Sequence, residues 1–321
     1  MKTATAIAHP NIALVKYWGK RDTALNLPAV PSISLTLDGF RTRTQVIWGV
    51  EEDAVHHDGQ PAAAAFAKRV TDFLDIIDPN RPPCMVLTEN NFPVGAGLAS
   101  SASGFAALAV AATRAAGRTD DRTALSALAR QGSGSACRSL FGGFVEWKLG
   151  NRPDGSDSHA TPIASRDYWA VAMVVAVVNE GPKAVGSTDG MEASRHTSPY
   201  YKGWVDSAPA DVEAAKDAIY DRDLDALGRV MEHSTLKMHA CMMAANPPLL
   251  YWMPATLALM AEVRELRASG ISAWATMDAG PQVKVLCRRK DADRVREALT
   301  PHARSVHVLR PGAGARLDEE E

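Results

Sequence analysis

Residues 93–104 read Pro-Val-Gly-Ala-Gly-Leu-Ala-Ser-Ser-Ala-Ser-Gly, and an alanine-rich stretch follows from Phe105 to Ala116. Glycine has no Cβ, so Gly95 and Gly97 let the backbone turn tightly and approach a ligand closely. Residues 98–116 are small and apolar on nearly all sides, which predicts a helix buried in a core. Ser100, Ser101 and Ser103 then stand at the mouth of that helix. Its unpaired N–H groups and the positive end of its dipole favour an anion there. The stretch is neither a G-x-x-x-x-G-K-[ST] loop nor a dinucleotide fingerprint, because no Gly-Lys-Ser/Thr occurs and the glycine spacing differs. It reads as a phosphate-binding loop, against the plainer reading of a glycine-rich turn before a buried helix.

Outward from this loop, residues 1–9, 33–37 and 41–48 read as strands, the last two joined by the Asp38-Gly39 turn signal. Residues 62–77 have helical periodicity, with Phe66, Val70, Phe73 and Leu74 on one face. A short strand at 85–88 leads into the loop, and a helix capped by Asp120 or Asp121 covers 120–130. Residues 144–149 and 169–178 read as strands, the second apolar enough to be buried on both faces. Between 179 and 201 the composition shifts to Gly, Pro, Ser, Thr and charge. This marks a junction and divides the chain into units 1–182 and 183–321. Helices follow at 210–220, 224–241 and 254–269. Strands at 273–277 and 282–287 flank Asp278-Ala279-Gly280-Pro281, and a helix at 291–299 and a strand at 305–309 come last. The stretch 312–321 reads as disordered.

At 321 residues the chain is long enough for two domains or two lobes. Apolar residues make up 46% and charged ones 22%, as in an ordinary globular protein. A net charge of −2 supplies no global basic field, so no nucleic-acid partner is expected. The longest apolar run, around 171–178, is too short to span a bilayer, so no membrane partner is expected either. The start MKTATAIAHPN lacks the apolar region of a signal peptide. Cys84, Cys137, Cys241 and Cys287 form no C-x-x-C pair and read as free thiols in a reducing cytoplasm. The nine histidines show no zinc-site spacing.

Four more segments bear chemistry-capable residues. In residues 11–22, Lys16, Lys20 and Arg21 lie among Tyr17 and Trp18, where a partly dry cleft would strengthen their pull on an anion. A strand edge with solvated lysines fits equally well. Residues 132–138 alternate Gly with Ser133 and Ser135 and end in Arg138, a pattern suited to phosphate and, through the guanidinium fork, to carboxylate. A flexible linker is the alternative. Asp278 before Gly280-Pro281 is a turn former or a general base. Ser187, Thr188 and Asp189, within 185–191, read by themselves as a hydroxyl-rich hinge.

Together and in this order, the segments resemble the diphosphomevalonate decarboxylases of the GHMP kinase superfamily. The resemblance rests on NIALVKYWGKRD (11–22), LNLP with SIS (25–34), NNFPVGAGLASSASG (90–104), GSGSACRSLFGGFVEW (132–147), GSTDGM (186–191) and TMDAGPQVKVL (276–286), spanning most of the chain. It implies an α+β GHMP kinase fold, with a ribosomal-protein-S5-domain-2-like N-terminal lobe and a ferredoxin-like C-terminal lobe around a cleft. It further implies ATP and Mg²⁺, mevalonate 5-diphosphate as substrate, isopentenyl diphosphate as product, and a cytoplasmic homodimer.

By the same resemblance Asp278 is the catalytic base, Arg138 grips the substrate carboxylate, and Asn11 supports Arg138. Gly95, Gly97, Leu98, Ala99, Ser100 and Ser101 hold ATP, with Ser101 on Mg²⁺. Lys16, Tyr17, Lys20, Ser133, Ser135, Ser187 and Thr188 complete the substrate site. Some members carry a basic residue ahead of the first long helix that grips the distal phosphate. Residues 51–65 here offer only His56 and His57, and Thr188 stands after Ser187 where some members have arginine. That departure admits two related activities, a phosphomevalonate decarboxylase and a mevalonate-type kinase, and Asp278 argues against the kinase. A non-catalytic binding protein would have little use for the set Lys16, Ser101, Arg138 and Asp278.

Overall fold

The structure is a computed structural model and describes residues 2–92, 100–179, 181 and 184–318. Its first sheet runs in the order β16 (Arg316–Leu317), β1 (Lys2–Ala8), β6 (Thr42–Trp48), β9 (Cys84–Asn90), β7 (Ala54–His57) and β8 (Gln60–Pro61). Burial alternates along β6, with Thr42, Thr44, Val46 and Trp48 inward, so one face of this sheet meets a core. That face is covered by α1 (Ala64–Ile77), α2 (Ser100–Ala115) and α3 (Arg122–Gly132), with the single turn α4 (Ala136–Ser139) beside them. Almost every side chain of α2 is buried, as its small apolar composition predicts. Asp121 caps α3 by accepting from the Ala124 amide at 2.7 Å.

The second sheet has the order β11 (Ala160–Ala164), β10 (Phe144–Trp147), β5 (Ser32–Thr36) and β2 (Asn11–Val15). Both β2 and β5 are buried at every position, so these two strands are covered on both faces. Lys20–Asp22 (β3) and Leu27–Pro28 (β4) form a separate two-stranded ribbon. The third sheet is antiparallel throughout, in the order β13 (Ala273–Thr276), β14 (Val283–Arg288), β12 (Val171–Val177) and β15 (Ser305–Leu309). Every residue of β12 is buried. Val171, Met173, Val175 and Val177 enter one core, while Ala172, Val174 and Ala176 enter another. The helices are α5 (Ser187–Thr197), α6 (Tyr201–Asp221), α7 (Leu224–Met243), α8 (Pro254–Ala268) and α9 (Ala292–Leu299). Residues of α6 and α7 fill the first of these cores, and residues of α8 and α9 fill the second.

This is the α+β organisation expected. The first of those cores also contains Ile12, Leu14, Ile33, Leu35 and Phe144. The second sheet is therefore packed directly on α6 and α7, which sets the end of β2 against the end of β13.

Three local expectations change. The Asp38-Gly39 turn exists, with Gly39 at φ +94°, but β5 and β6 do not pair. They join different sheets, since β5 needs cover on both faces and β6 on one. Leu37 instead bridges Pro311, and the Asp38 amide donates to the Arg310 carbonyl at 2.7 Å. Residues 312–318 are not loose: Arg316–Leu317 adds to the edge of β1, Ala315 is fully buried, and Asp318 pairs with Arg43 at 2.7 Å. The hinge region 179–201 contains α5, and α6 starts at Tyr201, ahead of the apolar period, carrying Pro209 within it.

Helix α7 lies against β13 through Gly228, where an added Cβ would stand 2.0 Å from the Trp274 ring. Gly228→Ala should therefore destabilise the fold by about 1–3 kcal/mol despite alanine's better helix propensity, read as a lowered urea midpoint. An unchanged or raised midpoint would refute this packing.

Candidate active site

Lys16 directly follows β2, and Asp278 lies just beyond β13. Three hydrogen bonds close the seam between them. The Lys16 amide donates to Ser234 Oγ at 3.0 Å. The Thr235 and Thr276 hydroxyls pair at 2.9 Å, and Thr276 Oγ1 donates to the Ala13 carbonyl at 3.5 Å. Across this seam the Lys16 ammonium, 1% exposed, donates to Asp278 Oδ1 at 2.7 Å and to the Ala13 carbonyl at 2.9 Å. Lys284 Nζ, wholly buried, donates to the other carboxylate oxygen at 3.0 Å. In β14 it faces the same way as Leu286, toward the core that contains β2.

The Asp278 carboxylate is thus held between two ammonium groups while 27% of its side chain remains accessible. Burial alone would raise its pKa. The charges and hydrogen bonds of Lys16 and Lys284 outweigh that and hold it well below the usual carboxylate range. Burial pulls Lys16 down to about 8, against the opposing attraction of Asp278.

Arg138, in α4, is 2% exposed. Its Nε donates to Asn11 Oδ1 at 3.0 Å and its Nη1 to Ser32 Oγ at 2.6 Å, and the guanidinium lies 5.7 Å from the Trp147 ring centre. Asn11 also donates to the Ser135 carbonyl at 3.0 Å and to Ser139 Oγ at 2.8 Å. One amide thereby orients the guanidinium and fixes the serine loop behind it. Tyr17 leans on Trp147, ring centres 4.7 Å apart, and its buried hydroxyl has no partner. Trp18 anchors the segment from the other side. Its indole donates to Ser194 Oγ at 3.0 Å, and its carbonyl accepts from Trp204 at 2.9 Å.

Asn11, Lys16, Tyr17, Trp18, Arg138 and Asp278 line one cavity of about 740 Å³, a size typical of small-ligand sites. It brings together Asn11, Lys16, Tyr17, Lys20, Ser100, Ser101, Ser133, Ser135, Arg138, Ser187, Thr188 and Asp278. Ser101 and Ser133 hydroxyls lie 3.3 Å apart. The first turns of α2 and α5 both border the cavity, so two helix N-termini favour anions in it. Gly95, Gly97, Leu98 and Ala99 lie outside the described residues. A second cavity of about 510 Å³ shares Arg69, Ser100 and Ser101 with the first and is walled by Phe66, Val70, Val86, Phe105 and Leu108. Among the described residues, no group of three or more His, Cys, Asp and Glu is arranged to hold a metal ion.

Two cations were missed in the sequence. Lys284 sits in an otherwise apolar strand, Val-Lys-Val-Leu, and a lysine inside a buried run is itself the signal, since such a charge needs a partner. Arg69 comes from α1, beyond the stretch 51–65 where a cation was sought. Its guanidinium donates to the Gly132 carbonyl at 2.7 Å and stacks 4.5 Å from the Phe105 ring centre. Burial and then the charge of Arg69 depress the pKa of Lys20, so two cations are crowded at one wall of the cavity.

Comparison with known proteins agrees with this geometry. Residues 8–160 match the family model for the diphosphomevalonate decarboxylase-like N-terminal domain, and 173–309 that for the mevalonate 5-diphosphate decarboxylase C-terminal domain. The diphosphomevalonate decarboxylase of Ganoderma lucidum is 36% identical, the match covering 93% of this chain and 82% of that protein. That of Candida albicans is also 36% identical, covering 94% and 89%. A structure of MDDEF in complex with MVAPP, AMPPCP and magnesium superposes with a TM-score of 0.93 at 40% identity, covering 99% of both chains. Mevalonate diphosphate decarboxylase from Staphylococcus aureus gives 0.94 at 36% identity, covering 99% and 98%.

The pKa of Lys16 sets a pH dependence. Its ammonium is present below about pH 8 and is lost as pH rises through that value. Affinity for inorganic pyrophosphate, measured by calorimetry, should fall across that interval, and the fall should be smaller in Lys16→Met. Identical profiles for the two proteins would show that Lys16 does not bear the titration.

Proposed function

The chain belongs to the diphosphomevalonate decarboxylase family, and from that membership we propose how its own residues carry out ATP-dependent decarboxylation of mevalonate 5-diphosphate. The products are isopentenyl diphosphate, ADP, phosphate and carbon dioxide. The observation that carries the reading is one accessible carboxylate, Asp278, clamped by two buried lysines in a cavity that also contains Arg138.

A tertiary alcohol is a weak nucleophile, and hydroxide is a poor leaving group. Asp278 orients the 3-hydroxyl and takes its proton as the oxygen bonds to the γ-phosphorus of ATP. Lys16 holds that carboxylate in place and offsets charge at the transferring group. Arg138, aligned by Asn11 and Ser32, holds the substrate carboxylate through its remaining N–H groups. The new phosphate then departs with the C–O bond while the C–C bond to the carboxylate supplies the electrons of the double bond. Arg138 keeps those two bonds aligned.

Tyr17, Lys20, Ser133, Ser135, Ser187 and Thr188 take the substrate's diphosphate, and Arg69 supplies the distal-phosphate cation that residues 51–65 lack. Ser100 and Ser101 receive the ATP phosphates at the α2 N-terminus, and the apolar second cavity takes the base. Ser101, a hydroxyl at the cavity wall, would help to hold a Mg²⁺ carried in on the nucleotide, and that ion would supply neutralisation of phosphate charge. The assembly is read as a homodimer from the family resemblance alone, and a reducing cytoplasmic location is supported by four buried free cysteines. No helix among the described residues is long and apolar enough to cross a membrane.

Asp278→Asn should lower kcat by about 10²–10⁴ while the KM for ATP stays within a few-fold. A near-wild-type kcat would remove Asp278 from the base role. Arg69→Ala should raise the KM for the diphosphate about 10-fold or more, the worth of a lost charged hydrogen bond, and affect mevalonate 5-phosphate less. Equal losses on the two substrates would refute the distal-phosphate assignment.

A further inference from the structure

A third cavity, of about 700 Å³, shares no lining residue with the catalytic cavity or with the apolar one beside it. It forms where five stretches of the chain meet: the end of β1, the turn between β5 and β6, the residue after β9, the loop from β11 to β12, and the approach to β16 with β16 itself. Four of these bring a basic group to it, namely His9, Arg41, Arg166 and Arg316. Asn91 pins the turn. Its Oδ1 accepts from the Arg41 amide at 2.7 Å, and its Nδ2 donates to the Gly39 carbonyl at 2.8 Å. Arg316 stands directly across from Ile7 in the pairing of β1 with β16. The His9 side chain is buried, and its Nδ1 bonds the Phe40 carbonyl at 2.8 Å. A carbonyl only accepts, so Nδ1 donates and Nε2 is left without a protein partner among the described residues.

Against these groups the cavity holds one carboxylate, Asp38, and one of its oxygens already accepts from the Gly39 amide at 2.8 Å. Arg166 Nε lies 3.5 Å from the exposed Asp167 carboxylate. Among the described residues the Arg41 and Arg316 side chains form no hydrogen bond or ion pair. The chain leaves β16 at Asp318, beside Thr5, and heads toward Lys2 rather than toward His9. Burial holds the His9 pKa below the usual histidine value; the Phe40 carbonyl and Asp38 oppose this, and Arg316 and Arg41 add to it. Arg166 is the remaining charged group of the cavity. Like charges gathered in one concave site repel, and an anion that takes their N–H groups removes the repulsion.

We propose that this cavity is a binding site for a phosphoryl group, free or carried on a small molecule, held by the guanidinium forks of Arg41, Arg166 and Arg316 with His9 Nε2 as a further contact. Three planar forks from separate elements suit the several oxygens of such a group. The site is independent of the reaction assigned to the catalytic cavity.

The test follows the His9 imidazole by NMR in the full chain labelled with ¹⁵N-histidine, its resonances assigned by their loss in His9→Gln. The probes are inorganic phosphate, inorganic pyrophosphate and phenyl phosphate, each set against sodium chloride at equal ionic strength. The Nε2 resonance should shift saturably, and the His9 titration should move to higher pH when the probe is bound, because an anion favours the protonated ring. Half-saturation should need about 10-fold more probe, or beyond, in the double variant Arg41→Ser with Arg316→Ser. Both side chains are exposed, so their replacement leaves the fold intact. The corresponding double lysine variant keeps the charge without the fork and should fall between. Lys16→Met, which weakens anion binding in the catalytic cavity, should leave the His9 response unchanged. Binding of all three probes assigns the site to a phosphate ester, and binding of the inorganic ions alone assigns it to the free ion. The proposal is overturned if no probe shifts His9, if chloride reproduces the shift, if the double serine variant saturates like wild type, or if the response disappears in Lys16→Met.

Discussion

Two buried ammonium groups on one carboxylate form the constraint around which this molecule is organised. A buried carboxylate with no partner would cost several kcal/mol and would take up a proton instead. With Lys16 on one oxygen and Lys284 on the other, Asp278 stays ionised while facing the cavity. The cluster carries one positive charge in excess, and Arg138, Lys20 and Arg69 add to it at the cavity wall. Such an arrangement is electrostatically incomplete until a polyanion arrives. It also makes Asp278 a weak base in the empty cleft. Each negative charge brought near it by a phosphorylated ligand raises its proton affinity, so the base gains strength when a substrate is there to use it.

That cluster requires the two halves of the chain to meet to within tenths of an ångström, and the shared core makes this possible. Strands β2 and β5 are buried on both sides because α6 and α7 cover one face. Helix α7 then serves both halves with successive polar residues. Ser234 accepts from the Lys16 amide, and Thr235 meets Thr276. The active-site seam is a small polar strip within an apolar interface, in which Lys16, Ser234, Thr235, Thr276, Asp278 and Lys284 are hydrogen-bonded.

Much of this was legible in the sequence, and the exceptions share a cause. The buried helix after the glycine-serine loop was visible because small apolar residues on all sides have few other solutions, and β12 was visible for the same reason. Asp278, Arg138 and Lys16 stood out only when the segments that contain them were read together and in order, because each segment alone has a plain structural reading. Lys284 and Arg69 did not, because each follows an ordinary strand or helix period, and its importance comes from what lies across the fold. The pairing of residues 33–37 with 41–48 failed likewise: the turn chemistry was correct, but which sheet each strand joins depends on how many of its faces are covered. Local pattern reports the element, and only tertiary contact reports the neighbour.

Strand β16 bears on the order in which the molecule is completed. Residues 316 and 317 pair with Ile7 and Ala6, and the Ala315 carbonyl accepts from Arg122. The first sheet therefore borrows its edge from a stretch that leaves the ribosome some three hundred residues after β1. Although the N-terminal lobe is translated first, it cannot be closed until the C-terminal lobe has also been made. Through most of synthesis the outer edge of β1 stays open to any extended chain that passes. The edge of the first sheet is completed only by residues that follow the last element of the third sheet.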